Sequence, residues 1–525
     1  MKVVDAAQMR AVDRHAIDRL GIRAETLMEN AGAAVARAIL ERTRRARDPI
    51  VVVCGPGNNG GDGYVLARHL GAAGREAFVL TLADPARLRG EARSHWERML
   101  HAGIGAETVP DAAAWSRLRP HWAGAATAVD ALFGTGLTRA LEGLPATVAT
   151  ELSGLPAFRV AVDIPSGLSA DSGELLGPSF CADLTIALAL PKRAHVLAPA
   201  ADRVGELVVA DIGIPQAAID TAPGTGLDLL TAAELGPLLP RRERGGHKGD
   251  YGRILIVAGG PGKVGAAELA ARAALRSGAG LVTVATAAGV QRALESRQLE
   301  WMSVALPEGP SRSLARAAGA ELVELSRAFD VVAAGPGLGR DPETREALLE
   351  LARDCPRPLV LDADALNVHA DAGTAPRGRP DRPVILTPHP GELARLVSSS
   401  PAEVQRRRLE LACEYAQRHG VHLVLKGYRT LIAAPDGRAW VAPTGNPGMA
   451  SGGSGDVLTG VLAGLIGQPL PLLDAIRVGV YAHGLAGDLA ADRIGELSLI
   501  ASDLLESLPA AYASLREAGD QRTRG

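Results

Sequence analysis

In the first part of the chain, three glycine-bearing segments follow apolar runs, and each carries groups able to bind an ion or a phosphate. GPGNNGGDG (55–63) follows PIVVVCG (49–55) and precedes the helical pattern YVLARHLGAAG. Its opening satisfies GxGxxG, and a strand–glycine turn–helix unit presents backbone N–H groups to an anion at the helix N-terminus. A tight turn that binds nothing has the same outline. Two features exceed a plain dinucleotide fingerprint: the doubled Asn58-Asn59 and the following Gly61-Asp62. A ribose-binding acid in the usual place is lacking, Asp84 lying 29 residues beyond Gly55. DALFGTGL (130–137) and VDIPSGL (162–168) add Asp130, Asp163 and Ser166, each just inside or after a strand. Any one of these acids could cap a helix. In a parallel sheet, however, strand C-terminal ends share one crevice. Asn59, Asp130, Asp163 and Ser166 would meet there as oxygen donors suited to a hard cation.

The second part repeats the pattern with different chemistry. GHKGDYGRILIVAGGPGKVG (246–265), PGLG (336–339), LDADALN (361–367), TPHPGE (387–392) and KGYRT (426–430) each lie beside an apolar run. NPGMASGGSGDVLTG (446–460) is the most informative. Gly452, Gly453 and Gly455 predict a flexible loop ahead of a helix starting near Val457, whose amides and dipole would stabilise a phosphoryl group in transit. Asp456 at that mouth can take a proton from a hydroxyl attacking phosphorus, or merely cap its helix. His389, between two prolines, reads equally as a ligand contact or a rigid turn residue.

The elements that position these residues are short β-branched runs alternating with Ala/Leu/Arg-rich helical segments, the signature of βα units and largely parallel sheets. Strands are predicted at 49–55, 77–82, 127–134, 159–167 and 182–189, then at 253–260, 280–286, 329–335, 358–364, 383–389 and 422–427. Their near-continuous apolar character implies sheets covered on both faces. The Pro/Gly-punctuated segment 216–231 is the expected linker, giving domains at 1–215 and 232–515 with a flexible tail at 516–525.

Composition excludes several classes. The 525 residues are 47% hydrophobic and 22% charged, an ordinary globular balance. A net charge of −3 gives no field favouring nucleic acid or an anionic membrane. Four widely spaced cysteines exclude a disulfide scaffold or zinc ribbon and fit a reducing, cytoplasmic setting. The N-terminus lacks a signal-peptide pattern. The uncharged run Val457–Leu473 contains two prolines and is too short to span a bilayer, so it reads as a buried helix. Only five of the 56 basic residues are lysine (Lys2, Lys192, Lys248, Lys263, Lys426), marking each as a candidate for chemistry that Arg cannot supply.

LMENAG (27–32), GPGNNGGDG, DALFGTGL and VDIPSGL, in that order, resemble the NAD(P)H-hydrate epimerase (YjeF N-terminal) family, a Rossmann-like αβα domain. The resemblance implies a site for hydrated NAD(P)H at Asn58, Asn59, Gly60, Gly61 and Asp62, at Gly134, Thr135, Gly136, Leu137, Thr138, Arg139 and Ala140, and at Asp163. It implies K+ on Asn59, Asp130 and Ser166, with Asp163 the candidate acid/base. HKGDYGR, TPHPGE, KGYRT and GGSGD resemble the ADP-dependent NAD(P)H-hydrate dehydratase branch of the ribokinase-like fold. There the implied contacts to hydrated nucleotide are Ala266, Gly337, Gly339, His389 and the catalytic Asp456. ADP would lie on Lys426, Gly427, Tyr428, Arg429, Thr430 and Gly455, and Mg2+ would screen the phosphates. Gly260 departs from the family pattern, standing where Ser is frequent.

The chain as a whole therefore resembles the family in which both activities are fused. The expected substrates are the hydrates of NADH and NADPH together with ADP, and a homo-oligomer is expected. A Rossmann dehydrogenase, an ATP-using vitamin or sugar kinase, and a ligand-binding module without activity are the rivals. The first two do not explain GPGNNGGDG and VDIPSGL in the same chain, and retention of every expected polar residue argues against the third.

Overall fold

A strand whose two faces are both covered must be apolar at successive positions, and Ile50–Cys54 shows the consequence. The computed structural model describes residues 1–43, 49–297 and 299–522. In its first unit, Ile50, Val52 and Cys54 enter one core layer with Tyr64 and Leu66, while Val51 and Val53 enter another with Trp115 and Trp122. The strands are β1 (Ile50–Cys54), β2 (Ala77–Thr81), β3 (Ala106–Thr108), β4 (Thr127–Ala131), β5 (Phe158–Val162), β6 (Leu184–Leu188) and β7 (Glu206–Ala210). They form one parallel sheet in the order β3-β2-β1-β4-β5-β6-β7. The order reverses between β1 and β4, which opens a crevice at their C-terminal ends.

The second unit runs from Asp228 onward, with Met1. Its sheet contains β8 (Leu227–Leu229), β9 (Arg253–Val257), β10 (Leu281–Ala287), β11 (Met302–Leu306), β12 (Val331–Ala334), β13 (Leu359–Leu361), β14 (Val384–Leu386), β15 (His422–Leu425), β16 (Leu431–Ala433) and β17 (Ala439–Val441). The order is β11-β10-β9-β12-β13-β14-β15-β16-β17-β8. Strands β9 to β15 and β11 are parallel, and β16 and β17 turn back antiparallel. Here the reversal lies between β9 and β12. Both units are thus α/β.

Several sequence expectations shift. The segment 216–231 is not a bare linker: Gln216–Thr221 is a helix, and Ala218 and Ala222 belong to the first unit's core. The division between units falls between Leu227 and Asp228. Residues 516–522 continue the helix Ala501–Arg522, held by buried Leu515 and by the close packing of Gly519 on Gly236 and Pro237; 523–525 lie outside the described residues. Strands β3 and β11, partly exposed at sheet edges, escape a reading tuned to apolar runs. The uncharged run at 457 becomes the buried helix Ser454–Ile466, and among the described residues no helix is long and apolar enough to cross a membrane.

The helix after β1 begins at Asn58, six residues before the predicted start, so the glycines of NNGGDG lie inside its first turns. Contact explains them. A Cβ on Gly60 would come within 2.0 Å of the Gly55 carbonyl oxygen, and one on Gly63 within 2.6 Å of Cys54 Sγ. Replacing Gly60 with Ala is expected to lower the stability of this unit by at least about 1–3 kcal/mol through overpacking. At Gly57, where nothing lies within 4 Å, Ala should change it by less than about 0.5 kcal/mol. Denaturant midpoints of the two variants provide the comparison, and equal midpoints would contradict the packing argument.

Candidate active sites

In the first unit, a cavity of about 520 Å³ lies over the β1/β4 switch point, lined by Asn58, Asn59, Asp62, Gly134 to Leu137 and Asp163, and also by Asp13 and Lys192. Asn59 and Asp62 come from the first turn of helix Asn58–Ala72 and Asp163 from the end of β5. The turn after β4 supplies Gly134. A Cβ on Gly134 would sit 3.1 Å from Asp163 Oδ2 and 3.4 Å from Asn59 Oδ1, so its hydrogen atoms leave space where these two side chains meet. Thr138, Arg139 and Ala140, read as substrate contacts, continue the Gly134 loop but do not line the cavity.

Asp130 and Ser166 meet each other. Asp130 Oδ1 accepts from Ser166 Oγ at 2.7 Å and Leu132 N at 3.1 Å, and Oδ2 accepts from Ser166 N at 2.7 Å. Burial pushes Asp130 up to about 6, against these hydrogen bonds. No basic side chain pairs with it among the described residues. Asn59 is buried with both its Oδ1 and Nδ2 unpartnered. An orphaned amide oxygen, a serine hydroxyl and a buried carboxylate lacking a cation are a donor set that fits a large monovalent ion.

In the second unit, the loops after β12, β13, β14 and β15 converge on the N-terminus of helix Ser454–Ile466. Lys426 Nζ donates to Asp362 Oδ1 at 2.6 Å and lies 3.8 Å from Glu392 Oε2. Thr459 Oγ1 donates to Asp362 Oδ2 at 2.8 Å. A Cβ on Gly455 would stand 3.4 Å from that ammonium. Burial pulls Lys426 down, but Asp362 and Glu392 outweigh it and hold it above the ordinary lysine range. Burial, then the Asp362 carboxylate, pushes Asp456 up to about 6, with Lys426 opposing. A carboxyl poised near neutrality suits a general base.

The predicted contacts fall around this centre. Gly337, at φ +70°, approaches Ala266, where its Cβ would lie 3.0 Å from that of Ala266. Gly339 N donates to Asp364 Oδ2 at 2.8 Å, and Lys263 Nζ lies 3.5 Å from the same oxygen. Gly260 sits beneath Gly337, whose carbonyl oxygen would be 2.6 Å from a Cβ there, which accounts for glycine at that position. His389 caps helix Pro390–Leu396, its Nδ1 accepting from Gly391 N at 3.0 Å and Glu392 N at 3.3 Å. Of its two readings the turn role is present, and Nε2 remains half-exposed beside Glu392. Tyr428 is half-exposed and Arg429 buried, while Thr430 Oγ1 closes the turn onto Gly427 O at 3.0 Å. Lys248 is exposed. The glycines at 452–455 do not form one loose loop: Gly453, at φ +98°, is the helix N-cap and Gly455 lies in its first turn.

With this geometry in place, comparison with known proteins decides the lineage. Residues 254–510 match the family described as NAD(P)H-hydrate dehydratase, and residues 24–194 match the YjeF-related protein N-terminus. The bifunctional NAD(P)H-hydrate repair enzyme of Moorella thermoacetica is 46% identical over 98% of both chains. The chain belongs to the bifunctional NAD(P)H-hydrate repair family. The Escherichia coli member is 37% identical, covering 96% of this chain and 92% of that one. Among solved structures, the ADP/ATP-dependent NAD(P)H-hydrate dehydratase from Bacillus subtilis, crystallised with ATP and Mg2+, is 32% identical and covers 56% of this chain and all of the other, with a TM-score of 0.48.

Sequence reading of this repair-family chain gave no role to Asp13, Lys192, Asp362 and Glu392. The scarcity of lysine pointed at Lys192, and Asp362 and Glu392 lie within motifs already singled out. Asp13 carried no local signal. Because Asp362 is 1% exposed, Lys426→Met should cost about 3–5 kcal/mol by stranding a buried carboxylate. Adding Asp362→Asn should recover part of that loss. A single-variant cost below about 1 kcal/mol in denaturant unfolding would show that the pair does not support this unit.

Proposed function

We propose that the first unit interconverts the R and S hydrates of NADH and NADPH and that the second dehydrates the S form using ADP, returning NAD(P)H with AMP and phosphate. The observation that carries this reading is the coexistence, in a chain of this family, of two separate polar centres: Asp163 with Asn59 in one unit, and Asp456 over the Lys426–Asp362 pair in the other.

The substrate chemistry suits both. In the hydrate, the hydroxyl-bearing carbon adjoins the ring nitrogen, whose lone pair can expel the hydroxyl once it is protonated. In the first unit a carboxyl group supplies that proton, and water re-adds to either face. In the second, Asp456 takes the hydroxyl proton as its oxygen attacks the β-phosphorus of ADP, and AMP departs. The resulting phosphate ester is a good leaving group: the ring nitrogen's lone pair expels phosphate, and a proton lost from the adjacent ring carbon to the departing phosphate leaves its electron pair as the C=C bond of the reduced ring. Amides of the first turn of helix Ser454–Ile466 face the phosphoryl group in transit, and Lys426 holds its compact charge beside it.

Asn59, Asp130 and Ser166 would hold K+, which supplies positive charge beside the substrate's phosphates. Mg2+ would be carried into the second site on the nucleotide phosphates. We place the enzyme in the cytoplasm, supported by four free cysteines. We read it as a homo-oligomer, supported by the exposed Leu497 and Ile500.

Incubating both epimers of hydrated NADH with ADP should return all of the near-ultraviolet absorbance of the reduced ring. Recovery that stops at the S fraction would remove the epimerase assignment. Asp456→Asn should lower the ADP-dependent rate by about 10²–10⁴-fold. As pH falls, the wild-type rate should drop through an apparent pKa of about 6, where Asp456 loses its base form, and a half-point near 4 would place the base elsewhere.

The K+ assignment has its own test, independent of turnover. Above about pH 6 Asp130 is a buried anion, and below it is neutral. Replacing choline by K+ should therefore raise the melting temperature of the first unit at pH 7.5, by about 2–4 °C for each kcal/mol of binding, and leave it nearly unchanged at pH 5. An equal effect at both pH values would contradict a site on Asp130.

A further inference from the structure

Among the titratable side chains that line the cavity of the first unit are Asp13, Asp62, Asp163 and Lys192. Their partners divide them sharply. Lys192, 1% exposed, donates from Nζ to Asp163 Oδ1 at 2.6 Å and to Leu188 O at 2.9 Å. Leu188 N donates to the same Asp163 oxygen at 3.1 Å. Oδ1 is therefore fully engaged, while Oδ2 is left facing the position over Gly134 that Asn59 Oδ1 also faces.

The main chain of Asp163 is gripped from the same place. His195 Nδ1 accepts from Lys192 N at 2.9 Å, so the ring proton is on Nε2, which donates to Asp163 O at 2.7 Å. Asp163 needs that grip, because it sits at φ +62°, a left-handed conformation that a non-glycine residue keeps only when its surroundings over-determine it. Lys192 and His195 hold its side chain and its backbone at once.

Asp62 contrasts at every point. It is 7% exposed, lines the cavity, and makes no hydrogen bond or ion pair among the described residues. Burial pushes it well above the usual carboxylate range, Asp163 and Asp13 push the same way, and Lys192 opposes. Asp13, equally without a hydrogen-bond partner, is pushed up to about 6, chiefly by burial. The Asp62 charge also reaches the buried thiol of Cys54, and Arg10 and Glu91 complete the charged groups around the cavity.

Resting on the epimerase reading above, we propose that Asp62 is the proton donor of the first site and that Lys192, with His195, is the positioning pair that keeps Asp163 as its unprotonated counterpart. The steps balance. The C–O bond of the hydrate breaks as the ring nitrogen's lone pair forms the C=N bond, and the proton of Asp62 joins the departing hydroxide to make water. Water then adds to the opposite face of the same carbon, and its surplus proton passes to the Asp163 carboxylate. Transfer of that proton back to Asp62 through cavity water restores the starting state, with no net proton consumed.

The test uses the full-length enzyme and the R hydrate of NADH, following appearance of the S form by chromatography. ADP-dependent dehydration of pure S hydrate by the second unit and thermal melting of the first serve as controls for folding. Asp62→Asn should lower the epimerase kcat by about 10²–10⁴-fold with KM within about threefold, and the residual rate should lose the fall at alkaline pH that a required acid imposes. Lys192→Met should lower kcat and displace the acidic limb of the pH profile, and Lys192→Arg should restore at least tenfold of the loss. A wild-type enzyme that does not accelerate R-to-S conversion sinks the epimerase reading itself. Acceleration by the wild type with Asp62→Asn at near-normal kcat overturns the donor assignment alone. An unmoved pH profile in a folded Lys192→Met variant overturns the positioning role.

Discussion

A carboxylate buried at the end of a parallel strand must be given a partner or give up its charge, and both units are organised around that requirement. In each, a scarce lysine is drawn out of water to an aspartate that follows a strand: Lys192 to Asp163 after β5, and Lys426 to Asp362 after β13. The ammonium of Lys192 lies between Asp163 and the Leu188 carbonyl, and the ammonium of Lys426 lies between Asp362 and Glu392. Once that pair is set, neighbouring carboxyl groups without a cation of their own are driven toward the neutral form. Burial and an adjacent negative charge push Asp62 and Asp456 the same way. Two different reactions thus share one electrostatic device: an ionised aspartate locked in a pair beside a second carboxyl poised to move a proton.

The sheets explain why these groups meet at all. Parallel pairing places the chain's turns at one edge, and the reversals of order at β1/β4 and β9/β12 separate the flanking loops enough to admit a ligand. Close packing then fixes the loops. The glycines of NNGGDG allow the first turn of helix Asn58–Ala72 to press against Gly55 and Cys54, which carries Asn59 and Asp62 to the cavity. In the second unit, His483 Nε2 donates to Ser454 O at 2.9 Å, and Asp488 accepts from Gly445 N and Asn446 Nδ2, tying down both ends of the segment before Asp456.

Much of this was legible in the residues. Apolar runs gave the central strands, and the motifs at their ends named Asn59, Asp130, Asp163, Ser166, Asp456 and Lys426, which the fold brings to the two polar centres. What escaped depends on distance in the chain. Asp13 approaches the cavity from the N-terminal helix Ala6–Arg14, and nothing in its neighbourhood marks it. Lys192 follows β6; the scarcity of lysine marked it as a candidate, but only the fold, by burying it against Asp163, gives it a partner. The glycines of 55–63 were read as an anion-binding turn although Gly60 and Gly63 serve helix packing, because a missing side chain looks the same in sequence whether the backbone must bend or a neighbour must come close. Segment 216–231 looked like a linker for a similar reason: Pro and Gly punctuate it, but Ala218 and Ala222 are small enough to enter a core without an apolar run.

Each centre is assembled wholly from residues of its own unit, yet both units are encoded in one polypeptide. The cell therefore makes them in a ratio fixed at one to one, whatever the level of expression. Any balance between supply of the S hydrate and its removal has to be written into the rate constants of the two sites, because gene dosage cannot adjust it. Selection on one half is then felt by the other: a substitution that slows dehydration also sets how much epimerisation capacity is worth keeping.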